Sequence, residues 1–385
     1  MRIVHTSDWH AGRIWKSRDR LPELQDVLDR LGDFIERERI DLLLMSGDVF
    51  DGRAPAAEAE RCVFRFFKRV GRAGTKTVVI AGNHDHPARL EAWGTLAELV
   101  DVRVVGSPRS ADNGGALEIE TRSGERAIVG AIPFAPASAL VSALEMAADE
   151  TVARQVYADG MRHMVDNLCG RFRADTVNLL MAHTHLDGAL WSGSERTVHL
   201  GTDWAATRQA LPSNAHYVAL GHIHKPQVVE APSPAQYAGS PLQLDFGEAG
   251  EVKSFVVIDA RPRQPARAER VPYVGGVVLA KVRATLAELD SQREQLLSAG
   301  LLHVTVPLDA PDADLNSKVR RLLPNAVTVQ SEVAVLESPK DLADHRGLAP
   351  IDLFRAYSVS ARGKEPDAAV ALAFEELHDA SEEQE

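Results

Sequence analysis

Cysteine is almost missing from this 385-residue chain, which carries only Cys62 and Cys169. Two cysteines can pair once but cannot build a disulfide framework, and free buried thiols in a reducing cytosol are the expectation. Aromatic residues are sparse, at 5%. No apolar run approaches the ~18 residues that span a bilayer. The opening "MRIVHTSDWH" has no apolar stretch of the signal-peptide kind. A cytoplasmic protein without membrane contact is therefore expected. Positive charge is also short, with 43 Lys and Arg against 55 Asp and Glu, a net −12. Phosphate contacts need Lys and Arg, so this balance argues against a general nucleic-acid binder. The deficit is uneven, however. The last eleven residues, "EELHDASEEQE", hold six acids and no base, and are expected to be disordered. Bound cations would also reverse the sign locally.

Hydrophobic residues, at 45%, are enough for a sizeable core. Through the first 260 residues apolar strand-like runs alternate with helical stretches, the pattern of an α/β or layered fold. "RIVHTSD", "DLLLMSGD", "TKTVVIAGN", "TVNLLMAH", "HYVALGH" and "FVVID" read as strands. Residues 21–40, 57–74 and most of 137–171 read as helices. "ARPRQPARAERVPY", residues 260–273, reads as a linker or an exposed edge because of its three prolines and four arginines. A small α+β module is expected over 274–337, then two helices within 345–380. Their apolar faces carry Leu353, Phe354 and Tyr357, and Val370, Phe374 and Leu377.

Five strand-like runs end in the same kind of residue. They deliver Asp8 and His10; Asp48; Asn83, His84 and Asp85; His183; and His222 and His224. Ligand sites of open sheets lie beyond the C-terminal strand ends, where loops converge. Residues two apart in extended backbone point to one side, so Asp8 with His10, and His222 with His224, are each expected to serve a single cluster. The glycines of "SGD", "AGN" and "LGH" allow sharp turns into it. Two carboxylates, an amide oxygen and four imidazoles are too many for one tetrahedral zinc. They suit two divalent cations, and a thiolate-free donor set points to manganese, iron or zinc rather than calcium. Such pairs serve phosphoester hydrolysis, activating water and holding phosphate oxygens. His185 is an alternative to His183. Arg13, Lys16, Arg18, Arg20 and Lys225 are candidate DNA-backbone contacts or merely solvated residues.

With D-x-H at Asp8, G-D-x-x-D at Gly47, G-N-H-D at Gly82, His183 and G-H-x-H at Gly221 in order, the chain resembles the calcineurin-like metallophosphoesterases over about residues 1–245. Within them, "HTSDWHAGR", "SGDVFD" and "YVALGHIHKPQ" resemble the SbcD branch of the double-strand-break repair nucleases. The resemblance implies an α/β fold: a four-layer α-β-β-α sandwich of two mixed sheets over 1–260, a DNA-presenting capping domain over 274–337, and partner-binding helices over 345–380. It implies that Asp8, His10, Asp48 and His224 hold one cation, most readily Mn2+. Asp48, Asn83, His183 and His222 hold the other, with Asp48 bridging. His84 would face the scissile phosphate, and Asp85 would orient His84. The implied substrates are double-stranded DNA ends and hairpins. The implied partner is an SbcC-type coiled-coil ATPase, bound by a homodimer within a heterotetramer. The alternatives are a small-molecule or cyclic-nucleotide phosphodiesterase on the same fold, and a scaffold with a silent site. The second is disfavoured because no ligand is missing.

Overall fold

The computed structural model describes residues 1–140, 150–195, 205–333 and 349–382. Strand-forming runs that are apolar at every position need cover on both faces, and that need sets the architecture. The strands are β1 (Arg2–Thr6), β2 (Ile14–Trp15), β3 (Arg18–Asp19), β4 (Leu42–Met45), β5 (Lys76–Ile80), β6 (Val102–Val105), β7 (Ala116–Glu120) and β8 (Arg126–Ile132). They continue as β9 (Val177–His183), β10 (Tyr217–Gly221), β11 (Gln227–Val229), β12 (Ala235–Tyr237), β13 (Ser254–Arg261), β14 (Gln264–Pro272), β15 (Leu279–Arg283), β16 (Leu301–Leu308) and β17 (Ala326–Val333). One six-stranded sheet has the order β14-β13-β1-β4-β5-β6, the other β11-β12-β10-β9-β8-β7. In the first, β1, β4, β5 and β6 are parallel and antiparallel pairings lie on one side; in the second, antiparallel strands lie at both edges of a parallel centre.

Side-chain alternation assigns the layers. Ile3, Leu42, Leu44, Val78 and Ile80 of the first sheet meet Leu179, Met181, Tyr217 and Ala219 of the second in one inner core. Val4, Leu43, Met45 and Val79 face outward, onto α1 (Leu21–Arg37) and α2 (Ala57–Arg72). Leu180, Ala182, Val218 and Leu220 of the second sheet face a core with Tyr157, Met161, Val165 and Leu168, all on the helix Glu150–Cys169. The result is the four-layer α-β-β-α sandwich. Cys62 and Cys169 are buried and free.

Of the two readings of 260–273, linker or exposed edge, the edge is the one the structure shows. β14 pairs antiparallel with β13 from Arg261↔Gln264 to Ser254↔Pro272 and forms an edge of the first sheet. An edge strand tolerates proline because its outward N–H groups have no ladder partner, so composition left two readings and topology decides between them. The first sheet thus runs on to Pro272.

A three-stranded sheet, β15-β16-β17, follows, with short helices at Leu286–Ser291, Arg293–Ser298 and Leu315–Leu322. Trp15 and Phe246, with rings 5.1 Å apart, pack with its Leu279 and Leu301. Residues 1–307 with 312–331 form one compact unit, and 308–311 with 332–385 a second. In the second, helices Pro350–Arg362 and Ala368–Glu382 form a hairpin joined by the stacked rings of Phe354 and Phe374, 4.3 Å apart. The acidic tail is thus helical as far as Glu382. Parts of the expected segments, 141–149, 334–337 and 345–348, lie outside the described residues.

Candidate metal centre

Because β1, β4 and β5 run parallel, as do β9 and β10, their C-terminal ends and following loops gather at one edge. The first two loops are laced together by backbone hydrogen bonds. Asp8 N–H donates to the Gly47 carbonyl, His10 N–H to Asp48 and Ala11 N–H to Val49, each at 3.0 Å. The turn at Gly47 has φ +97°, which only glycine adopts without strain.

Asp8, His10, Asp48 and His224 are all buried and bring one ligand atom each within 4.8 Å of one another. The Nε2 atoms of His10 and His224 face each other at 3.1 Å. Across the site, Asn83 Oδ1 lies 2.9 Å from His183 Nε2 and 3.0 Å from His222 Nδ1. Asp48 stands between the groups, its Oδ2 3.6 Å from His10 Nε2 and 3.6 Å from His183 Nε2. His185 instead packs its ring on Trp191, centroids 4.5 Å apart.

The expected convergence through extended backbone is corrected. Asp8 (φ +53°), His10 (φ +47°) and Asp48 (φ +51°) are left-handed, and His222 has φ +99°. Within the one centre His222 and His224 face different partners, the first Asn83 and the second His10.

Electrostatics suit cations. Burial holds His10 down to about 4 and pushes His183 and His222 down too, so these imidazoles stay neutral as ligands must. Burial pushes Asp8 well up, opposed by His224 and reinforced by Asp48. For Asp48, burial works upward, but His183, His84 and His10 prevail and lower it. Two fully buried carboxylates carry a large desolvation cost that divalent cations would offset. The residues therefore fit a pair of such ions.

Residues 1–226 match the model of the calcineurin-like phosphoesterase family. The SbcD subunit of the nuclease SbcCD from Bacillus subtilis (strain 168) is 32% identical over 399 residues, covering 100% of this chain and 99% of that protein. The chain belongs to the SbcD family of calcineurin-like phosphoesterases. The SbcD subunits from Rhodobacter capsulatus and Escherichia coli (strain K12) are 31% and 30% identical, over 82% and 77% of this chain and 83% and 74% of theirs. The chain is accordingly a phosphoester hydrolase of the nuclease kind, which favours that reading over the small-molecule phosphodiesterase.

In this member of the SbcD family, the support of His84 differs from expectation. His84 Nδ1 lies 2.9 Å from the Asp51 carbonyl oxygen, and its N–H donates to Asp48 Oδ1 at 2.9 Å. The Asp85 carboxylate does not orient that ring. It accepts from Gly82 (2.9 Å), Phe50 (3.0 Å) and Val49 (3.2 Å) N–H groups. Burial, with the Asp48 charge, pushes Asp85 up to about 7 against those donors. Asp85 is a clamp between two loops, because three backbone donors outcompete one ring.

Behind the donors stands a layer of polar partners, of which the G-D-x-x-D motif marks Asp51 alone. Asp51 places Oδ1 3.2 Å from His10 Nδ1 and 3.0 Å from Arg13. His183 Nδ1 meets the Ser46 carbonyl at 2.8 Å. His224 Nδ1 meets Ser194 Oγ at 2.6 Å. Glu195 accepts N–H groups of Ser192, Gly193, Ser194 and His224. Glu248, buried in the structure, carries no such mark in the sequence, where it sits in the polar run "DFGEAGE". Of the basic run, Arg13 pairs with Asp51 and Arg20 with Glu23, while Lys16 and Arg18 are exposed. No described helix is long and apolar enough to cross a membrane.

Proposed function

We propose that this chain cleaves DNA phosphodiester bonds at duplex ends and hairpins as the nuclease component of a complex with an SbcC-type coiled-coil ATPase. Asp8, His10, Asp48 and His224 would hold one divalent cation. Asp48, Asn83, His183 and His222 would hold a second, with manganese the preferred metal. The observation that carries the reading is the position of Asp48 Oδ2, equidistant at 3.6 Å from a ring nitrogen of each group.

When bound, two cations supply water activated for attack and charge that neutralises the phosphate. The chain's own residues do the rest. His84 donates from Nδ1 to the Asp51 carbonyl; in the imidazolium form, with both ring nitrogens protonated, its Nε2 would donate a proton to the leaving oxygen or a hydrogen bond to the phosphate. Asp85, by tying Gly82 to Val49 and Phe50, keeps His84 and Asp48 in register. Lys16 and Arg18, exposed on the β2–β3 hairpin, together with Lys225, are offered as phosphate-backbone contacts, which position DNA without reading sequence.

The sheet β15–β17 is assigned to presenting DNA. The C-terminal helix hairpin is assigned to the ATPase, as a helix-in-groove contact. Stacking of Phe354 on Phe374 uses those two residues within the hairpin. Leu353 (41%), Tyr357 (65%), Val370 (45%) and Leu377 (73%) remain exposed for a partner. A homodimer within a heterotetramer completes the assembly. The relatives are named as one component of a nuclease, SbcCD, which supports partner and substrate.

The test is an end-labelled duplex closed by a hairpin, with Mn2+, alone and with the ATPase and ATP, beside Asp48→Ala. Cleavage that needs Asp48 and rises with partner and ATP is expected. No DNA cleavage in any arm, with a simple phosphodiester still hydrolysed, would overturn the substrate assignment.

A further inference from the structure

Behind His224 lies an ionic cluster that the metal-donor set does not itself require. Glu248 is 0% exposed and Lys253 7%. Acids and lysines are seldom buried unless paired, and each is paired here. Glu248 Oε2 lies 2.5 Å from Lys253 Nζ and accepts the Leu244 N–H at 3.0 Å. Lys253 also reaches Glu251 at 2.8 Å and donates to the His224 carbonyl oxygen at 2.9 Å. The lysine thus grips both the backbone of His224 and the carboxylate behind its ring.

The other oxygen of Glu248 is directed at the ring. Oε1 lies 3.4 Å from His224 Nδ1. The Ser194 hydroxyl hydrogen-bonds to that oxygen and stands 2.6 Å from the same Nδ1. Lysine, carboxylate, hydroxyl and imidazole form one chain that ends at Nδ1. With Nδ1 held as the donor, Nε2 keeps its lone pair and faces His10 Nε2 at 3.1 Å. A carboxylate behind a ligating imidazole fixes the ring and makes its free nitrogen more basic.

The two halves of the site are not backed alike. His10 and His224, on one side, have the carboxylates of Asp51 and Glu248 behind them. His183, on the other, has the neutral Ser46 carbonyl at 2.8 Å. We propose that Glu248, locked by Lys253, is a positioning residue for His224. We propose further that this backing makes the Asp8–His10–Asp48–His224 position the tighter of the two cation positions. The inference rests on the two-cation reading given above.

The experiment is a Mn2+ titration of the full chain without DNA, following free Mn2+ by electron paramagnetic resonance. Wild type, Glu248→Gln, Ser194→Ala and His183→Asn are compared, with thermal melting in EDTA as the measure of folding. Wild type should bind two ions in two steps. Glu248→Gln should weaken the tighter step about 10–100-fold and leave the other unchanged. Ser194→Ala should shift the same step by less, and His183→Asn should remove the weaker step. A tight step that stays within about twofold in Glu248→Gln, or an equal loss in both steps, would overturn the proposal. So would loss of the tighter step in His183→Asn. If melting shows Glu248→Gln unfolded, Ser194→Ala, which leaves Glu248 and Lys253 paired, decides by the same criterion. A wild-type chain that binds fewer than two Mn2+ overturns the two-cation reading itself. Two ions bound with no selective effect overturn only the role of Glu248.

Discussion

Replacing Gly82 by alanine tests how closely the loops of the centre approach. A Cβ built on Gly82 would lie 2.0 Å from Asp48 Oδ1 and 2.3 Å from the Asp48 backbone nitrogen, whereas ordinary contact begins at 3.4 Å. The nearer atom is therefore about 1.4 Å too close. Neither loop can yield alone, because Asp48 Oδ1 accepts the His84 N–H at 2.9 Å and Asp85 ties Gly82 to Val49 and Phe50. Overpacking of this kind costs about 1–3 kcal/mol. A shift of about 1 Å in a reacting group costs about 100-fold in rate. Gly82→Ala should thus lower the urea midpoint and cut Mn2+-dependent cleavage of an end-labelled duplex at least 100-fold. Gly52→Ala is the control from a neighbouring loop, since a Cβ there meets nothing within 4 Å; its stability should stay within about 0.5 kcal/mol of wild type. Wild-type activity and stability in Gly82→Ala would refute the close-approach argument.

Three further outcomes are expected. His84→Gln should lower kcat by about 100- to 10,000-fold while Mn2+ binding persists; unchanged kcat would sink the proton-donor role. His5, fully buried with Nδ1 3.0 Å from the Tyr217 hydroxyl, is held by burial from 6.5 down to about 3. The unfolded chain binds this proton as pH falls through 6.5 and the native state refuses it until about 3. Stability is therefore lost across that window, by on the order of 4–5 kcal/mol in full. His5→Gln should flatten the fall in urea midpoint of metal-free protein between pH 6.5 and 4, and an unaltered slope would refute this. A chain ended at residue 333 should lose ATPase binding but still hydrolyse a simple phosphodiester; retained binding in a pull-down would reject the tether.

The centre was legible because its chemistry is written in residue type. Asp8, His10, Asp48, Asn83, His183, His222 and His224 all follow apolar runs, and parallel strands carry those run ends to one edge. The inner and outer faces of the sandwich were legible less directly, because runs such as Leu42–Met45 are apolar on both sides and show no period of two. For β14 the sequence leaves linker and exposed edge open, because proline and arginine look alike in both. Asp85 was misassigned because its three partners are backbone N–H groups, which no side-chain pattern announces. Glu248 and Lys253 escaped notice because their link to His224 joins segments distant in sequence.

The left-handed residues explain what no strand pattern could. A side chain leaving a strand end continues the alternation of the sheet, and alternation alone cannot aim donors from five loops at one point. Asp8, His10 and Asp48, with φ between +47° and +53°, and His222 at +99° bend the chain out of that alternation. Each such residue costs on the order of 1–3 kcal/mol unless its surroundings over-determine it. The surroundings hold part of that strain: the Asp8, His10 and Ala11 N–H groups donate across to the next loop at 3.0 Å, the His222 N–H donates to Asp8 Oδ1 at 3.1 Å, and Asp85 clamps Gly82 to Val49 and Phe50. Cations shared among these donors would supply the rest, since binding to the native state alone stabilises it. Removing them with EDTA should then raise hydrogen exchange at His10 and Ala11 N–H well before the β1 and β4 amides respond. Equal protection at His10 with and without Mn2+ would mean that the protein scaffold alone holds the strain.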